Sequence, residues 1–282
     1  MGIIKVKPTT PGRRGASFDD FFDITKTTPQ KRLIIIKKKR GGRNNQGKIT
    51  IRHRGGGAKR YIRMVDYKRD KFDIPAKVAS IEYDPNRGPR IALIQYEDGT
   101  KSYILCPKDL SVGQKVVSSD KVLKAEVGNR MPLEFIPVGM MVYNIEMTAG
   151  KGGQLVRGAG NSAQLMTIEE GYAIIKLPSG EVRKIAKNCL ATIGEVGNED
   201  YRLVRWGKAG RNRLRGIKPT VKGKNMNPVD HAHGGGEGHS PIGQKRGPQT
   251  IYGKTAMGVI TRQKGKYSDK FIVKTRRKSK RK

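Results

Sequence analysis

The sequence predicts a mainly β protein built of small barrels between long basic extensions, and two observations lead there. Short apolar–polar alternating runs, separated by turn residues, fill the middle of the chain. Nearly all of the net charge of +35 lies outside that middle. No amphipathic stretch of useful length is present, so helix is expected to be scarce.

Residues 1–71 carry 21 basic and 5 acidic side chains, residues 72–200 carry 15 and 16, and residues 201–282 carry 23 and 3. A neutral centre between two cationic arms suggests a folded core with extensions that penetrate a polyanion. Self-repulsion at this charge opposes compaction, so the polyanion is also what neutralises the arms. A hydrophobic fraction of 35% supplies a core for the centre but not for the whole chain.

The strands are read in order. Arg60–Tyr67, Ala76–Tyr83, Arg90–Tyr96 and Ser102–Leu105 alternate with period two, and Glu97-Asp98-Gly99-Thr100 joins the last two. An Asp-Gly pair at such a position favours a hairpin, because glycine tolerates the positive φ of a tight turn. Met141–Met147, Gln164–Glu169, Tyr172–Leu177 and Glu181–Ile185 repeat the pattern, with turns at Glu170-Gly171 and Pro178-Ser179-Gly180. Short strands at close spacing argue for small barrels, and Pro132 and Pro137 bracket a boundary between two of them.

Several function classes fall away. Cys106 and Cys189 stand alone in strand-like runs, as buried small hydrophobes of a reducing compartment, and no CxxC framework for zinc is present. No apolar run approaches a membrane span, and Met1-Gly2-Ile3-Ile4-Lys5 does not open a signal peptide, so a cytoplasmic or organelle-made protein is expected, without a membrane partner. Gly158-Ala159-Gly160-Asn161-Ser162-Ala163 fits a dinucleotide pattern but leads into a strand-like run, so the anion-binding helix terminus is missing. Gly247–Thr255 is one residue too long for a phosphate loop. No Ser or Cys carries a nucleophile signature.

What remains is RNA chemistry. Residues 31–63 hold 13 basic and no acidic side chains, interleaved with glycines, and residues 207–265 are again glycine-rich. Arg43, Arg52, Arg54, Lys59 and Arg60 in the first arm supply phosphate donors, as do Lys208, Arg211, Arg213, Arg215, Lys218 and Lys222 in the second. Arginine also stacks on bases, and glycine lets the backbone approach and donate its own N–H groups. Arg13 and Arg14 form a smaller instance, His53 between two arginines is expected to touch RNA, and Arg262 extends the set toward the C-terminus. Trp206 either stacks on a base or seals the edge of the second barrel. Such arms cannot offset their ordering entropy alone and are expected to be disordered until RNA supplies contacts.

Three of the four histidines fall within Asp230–His239. The loop is expected to pack on RNA. The alternatives are a hydrated Mg²⁺ shared with phosphates, a zinc site using His231, His233 and Glu237 or His239, and acid–base chemistry by His231.

Ordered motifs across nearly the whole chain resemble the bacterial-type L2 family of large-subunit ribosomal proteins. They include Pro11-Gly12-Arg13-Arg14, Gly41-Gly42-Arg43-Asn44-Asn45, Tyr83-Asp84-Pro85-Asn86-Arg87, Tyr103–Lys108, Gly150–Gln154, Pro178–Lys184, Gly194–Asn198 and, most specific, Met226–Gly238. The resemblance implies a basic extension at 1–59, an OB-fold barrel at 60–130, an SH3-like barrel at 131–197 and a basic extension at 198–282. It implies binding to 23S rRNA, with Asn44 among the contacts, an intersubunit bridge to 16S rRNA, neighbouring ribosomal proteins as partners, and no homo-oligomer. It places the histidine loop near the peptidyl-transferase centre as an organiser of RNA rather than a catalyst, with no cofactor beyond RNA-associated Mg²⁺. Three positions depart from the family pattern: Ala232 replaces a usual proline and restrains the loop less, Leu214 stands where many members carry tryptophan, and His239 where a permanent cation is common.

Overall fold

The computed structural model describes residues 2–237, 239–245, 247–263 and 265–276. Gly238, which ends the most specific family motif, and most of the cationic run at the C-terminus lie outside them. The chain divides into two compact units. One comprises the described parts of Met1–Lys38, Lys59–Ala209 and Lys270–Lys282, and the other comprises Lys39–Ala58 and Gly210–Asp269.

The first unit carries the sheets and is mainly β, with an OB-fold barrel followed by an SH3-like barrel. A small hairpin pairs β1 (Ile3–Lys5) with β2 (Ser17–Asp19), and another ladder pairs β3 (Ile34–Ile36) with β4 (Tyr61–Arg63). Then come β5 (Ala76–Glu82), β6 (Ile91–Tyr96), β7 (Lys101–Leu105) and β8 (Lys115–Val116), which form a four-stranded antiparallel sheet in the order β7-β6-β5-β8. The turn read from Asp98-Gly99 is present: the Gly99 N–H donates to the Tyr96 carbonyl at 3.0 Å, with φ +78° at Gly99.

β6 explains why its sequence, IALIQY, is nearly all apolar. Ala92, Ile94 and Tyr96 face a core with Val78, Ile104 and Val116. Ile91 and Leu93 face the other way and are covered, with Tyr103, by Leu33 and Val65. A sheet buried on both faces cannot alternate. Part of that covering layer, Leu33, comes from residues preceding the barrel, within the stretch that charge alone assigns to a cationic arm.

Polar locks fasten that layer. The Tyr103 hydroxyl donates to buried Glu82 at 2.6 Å and accepts from the Gln30 N–H at 2.8 Å, while Ser80 donates to the other Glu82 oxygen at 3.0 Å. Arg90, buried at 2% exposure, bonds both carboxylate oxygens of Asp19 at 2.7 Å and those of Asp23 at 3.0 and 3.1 Å. Its guanidinium also lies over the Phe21 ring, 5.1 Å from the centroid. Burial opposes its charge, but its hydrogen bonds to both carboxylates hold the pKa above the ordinary value.

The second sheet has seven strands: β9 (Arg130–Pro132), β10 (Met141–Tyr143), β11 (Ala163–Glu169), β12 (Tyr172–Lys176), β13 (Val182–Ala186), β14 (Leu190–Ile193) and β15 (Ile272–Lys274). Their order is β15-β13-β12-β11-β10-β14-β9, curled around a core that includes Met131, Leu133, Val142, Leu165, Ile175 and Ile193. The expected strand Met141–Met147 stops at Tyr143, where Asn144 turns the chain at φ +50°. The expected Arg60–Tyr67 strand is likewise cut to Tyr61–Arg63. β15 comes from the far end of the chain, pairs with the edge of β13, and sets Phe271 against Tyr172 at 6.3 Å between ring centroids.

A buried ion pair organises this sheet. Arg130 and Glu146 have side-chain exposures of 0% and 1% and meet at 2.9 Å. Glu146 also accepts the backbone N–H groups of Gly150, Gly152 and Leu190. Arg130 donates to the Asn144 carbonyl, while nearby Arg69 reaches the carbonyls of Gly128 and Val117. Burial lowers the Arg130 pKa to about 10, which leaves it charged at neutral pH. Cys106 and Cys189 are free and buried as expected, and burial pushes their thiols up to about 12 and about 11, so both stay protonated. Helix is scarce: α1 (Pro11–Arg14) and α2 (Ala209–Leu214) are short, and no helix among the described residues is long and apolar enough to cross a membrane.

Candidate RNA interface

The second unit holds 18 Lys or Arg against three Asp or Glu in 80 residues, and none of its described residues belongs to a sheet strand. It contains Arg43, Asn44, Arg52, His53, Arg54, Arg211, Arg213, Arg215, Lys218, Lys222, His231, His233 and Arg262. The first unit contains Arg13, Arg14, Lys59, Arg60 and Lys208. The two arms read separately from sequence therefore contribute to one compact body.

The first-arm loop is closed by main-chain bonds. Thr50 and Ile51 both donate N–H groups to the Gly42 carbonyl, and Arg43 pairs with Ile49. Asn44 turns its side-chain oxygen inward to accept the N–H groups of Gln46 and Lys48 at 3.0 Å each, so it shapes this loop. Arg43, Arg52 and Arg54 point outward and are exposed. His53 has φ +59° and gives its carbonyl to the N–H of Lys218 at 2.9 Å. In the first unit, Lys59 lies over the Tyr61 ring at 5.5 Å and Arg60 donates to the Pro85 carbonyl at 3.3 Å. Arg13 and Arg14 are exposed in α1. Trp206 is half-buried, and its neighbour Arg205 exchanges bonds with Ser17 of β2.

The histidine loop is more ordered than its glycine content suggested. Asp230 donates its N–H to the Asn227 carbonyl, Gly234 to that of His231, and Gly235 to that of Met226. The His231 ring lies against Gly223, where a Cβ would sit 2.5 Å from ring atoms, so only glycine fits there. His231 Nδ1 accepts the His233 N–H at 3.0 Å, and His233 Nε2 accepts the Gln249 N–H at 2.8 Å. The rings stand 4.8 Å apart. A neutral imidazole that accepts at one nitrogen carries its proton on the other. In that neutral form each ring leaves an N–H donor free to face a phosphate or base acceptor, His231 at Nε2 and His233 at Nδ1. Among the described residues no three His, Cys, Asp or Glu side chains converge as metal ligands. At the departures from the family pattern, Leu214 is exposed and contributes its carbonyl, and the Ala232 carbonyl accepts from Gln244 at 3.1 Å.

One cation pair escaped sequence reasoning. Tyr67 is half-buried with the Arg157 guanidinium 4.5 Å and the Arg87 guanidinium 5.9 Å from its ring centroid. Arg87 is also bonded to Asp84 and to the Tyr67 hydroxyl. Arg157 is exposed, and among the described residues no carboxylate lies within ion-pair distance of it. No spacing in the sequence links positions 67, 87 and 157.

Two barrels carrying glycine-laced cationic segments, with histidines disposed as donors, describe a nucleic-acid-binding scaffold. Residues 30–118 match the family model described as Ribosomal Proteins L2, RNA binding N-terminal domain. Residues 126–253 match Ribosomal Proteins L2, C-terminal domain. The class is thus a structural, RNA-binding component of the large ribosomal subunit. The chain belongs to the ribosomal protein L2 family, as its sequence motifs implied.

Proposed function

We propose that this protein is a primary 23S rRNA-binding protein that supports subunit association, forms an intersubunit bridge to 16S rRNA, and organises rRNA near the peptidyl-transferase centre. Neighbouring ribosomal proteins are its other partners, within a bacterial or organellar ribosome. In this reading 60–130 is the OB-fold domain, 131–197 the SH3-like domain, and 1–59 and 198–282 the extensions. The observation that carries it is the concentration of cationic side chains, with so few acids, in a unit whose described residues form no sheet. Arg52, Arg54, Arg213 and Lys218 are its outward phosphate donors.

Bound to in-vitro transcribed 23S rRNA, the protein is expected to show log affinity falling with log salt by about 0.7–0.9 per neutralised phosphate. At matched salt it should bind arbitrary duplex DNA at least about 10³-fold more weakly, the lower end of specific-over-nonspecific ratios. Equal affinities would make it a general nucleic-acid chaperone.

The histidine loop positions RNA and leaves the chemistry to it. Large subunits reconstituted with His231→Ala are expected to keep peptide-bond formation within about tenfold. Removing a general base costs about 10²–10⁴-fold, so a loss of that size at saturating substrate, in fully assembled particles, would give the ring a catalytic role.

A further inference from the structure

The two cationic arms do not merely share a unit; they are joined by a main-chain ribbon. Residues 53–58 run antiparallel to 214–218. The Lys218 N–H donates to the His53 carbonyl at 2.9 Å, the Gly55 N–H to Gly216 at 3.0 Å, and the Ala58 N–H to Leu214 at 2.8 Å. Arg54 stands opposite Ile217 as an antiparallel bridge. The strands come so close because glycines face each other. A Cβ at Gly57 would lie 2.8 Å from both the Gly216 nitrogen and the Leu214 carbonyl oxygen, whereas one at neighbouring Gly56 would meet nothing within 4 Å. Both glycines have positive φ, +84° and +66°.

We propose that the two arms bind RNA as one module, clamped by this ribbon, so that the phosphate donors of the first arm and those of the second engage a single folded RNA together. The proposal rests on the rRNA-binding reading above and adds the coupling between the arms. Exposed Arg52 and Arg54 lie in or beside the first strand, and exposed Arg213 and Lys218 in or beside the second. Among the described residues none of these four has a carboxylate within ion-pair distance. Their like charges repel, and the backbone bonds hold them together nonetheless. The ordering entropy of one arm is then already met when the other binds, which gives positive coupling between them.

The test uses the full chain and 23S rRNA at fixed salt. Gly56→Ala and Gly57→Ala strain the backbone alike, but only the second forces the strands apart. Gly57→Ala is expected to weaken binding at least about tenfold and to abolish amide-exchange protection at Gly55, Ala58 and Lys218 in RNA-free protein, while Gly56→Ala stays within about threefold. In parallel, Arg52→Gln with Arg54→Gln, and Arg213→Gln with Lys218→Gln, are measured singly and combined. In the parent background the combined loss is expected to fall short of the product of the separate losses by about fivefold or more. In the Gly57→Ala background the losses should multiply. Equal effects of the two glycine variants, or multiplicative losses in the parent protein, overturn the coupling while leaving rRNA binding intact. A parent protein that does not bind 23S rRNA at all overturns the function itself.

Discussion

Glu146→Ala is expected to unfold the SH3-like barrel or bring it to the edge of unfolding. The substitution strands the fully buried Arg130 guanidinium without its carboxylate, and breaking a buried pair from one side costs about 3–5 kcal/mol. It also removes the acceptor for the N–H groups of Gly150, Gly152 and Leu190. A buried donor left without a partner adds about 1–3 kcal/mol. Domains are typically stable by only about 5–15 kcal/mol. Urea denaturation followed by far-UV circular dichroism reads the result, with Glu146→Gln as the milder companion because the amide keeps one acceptor oxygen. A midpoint shift worth less than about 1 kcal/mol for the alanine variant would show that relaxation or water replaces the carboxylate.

Removing residues 210–282 is expected to leave the barrels within residues 1–209 folded and to collapse their hold on rRNA. The deletion takes away β15 and eight basic side chains of the first unit, and from the second unit the ribbon partner of residues 53–58, three acidic side chains and 12 basic ones. If half of the second unit's lost cations meet phosphates, the salt slope flattens by about 4, and affinity at moderate salt drops by about 10³-fold or more. Filter binding across a salt series measures both numbers on one preparation. An unchanged slope would mean that the cations of residues 1–209 carry the contacts. A truncated protein with no sheet signal would mean that β15 and its flanks are required for the fold.

Legibility in the sequence followed the kind of force at work. The hairpin at Asp98-Gly99 and the alternating strands β5, β11, β12 and β13 could be read because side-chain period and turn chemistry are local. Strands β9 and β14 were missed: RMP and LATI are short, and all seven residues are buried, so no alternation marks them. The docking of residues 1–38 was hidden by their charge. The carboxylates that matter there, Asp19 and Asp23, find Arg90 only in three dimensions. The cationic residues of the candidate site were legible as composition. Their assembly into one body was not, because it relies on glycine backbones whose pairing leaves no side-chain pattern. The histidines were visible as ligands of some kind, and only the geometry showed that each has already given one nitrogen to the backbone.

The pairing of β15 with β13 bears on how the protein is made. Translation releases β13 before β15, so the growing polypeptide carries an open strand flank while the 85 residues between them are made. Unpaired flanks of that kind invite another chain to fill them. Sheltering by a chaperone, or immediate capture on nascent rRNA, would be needed most during that interval, and least once the closing strand has emerged.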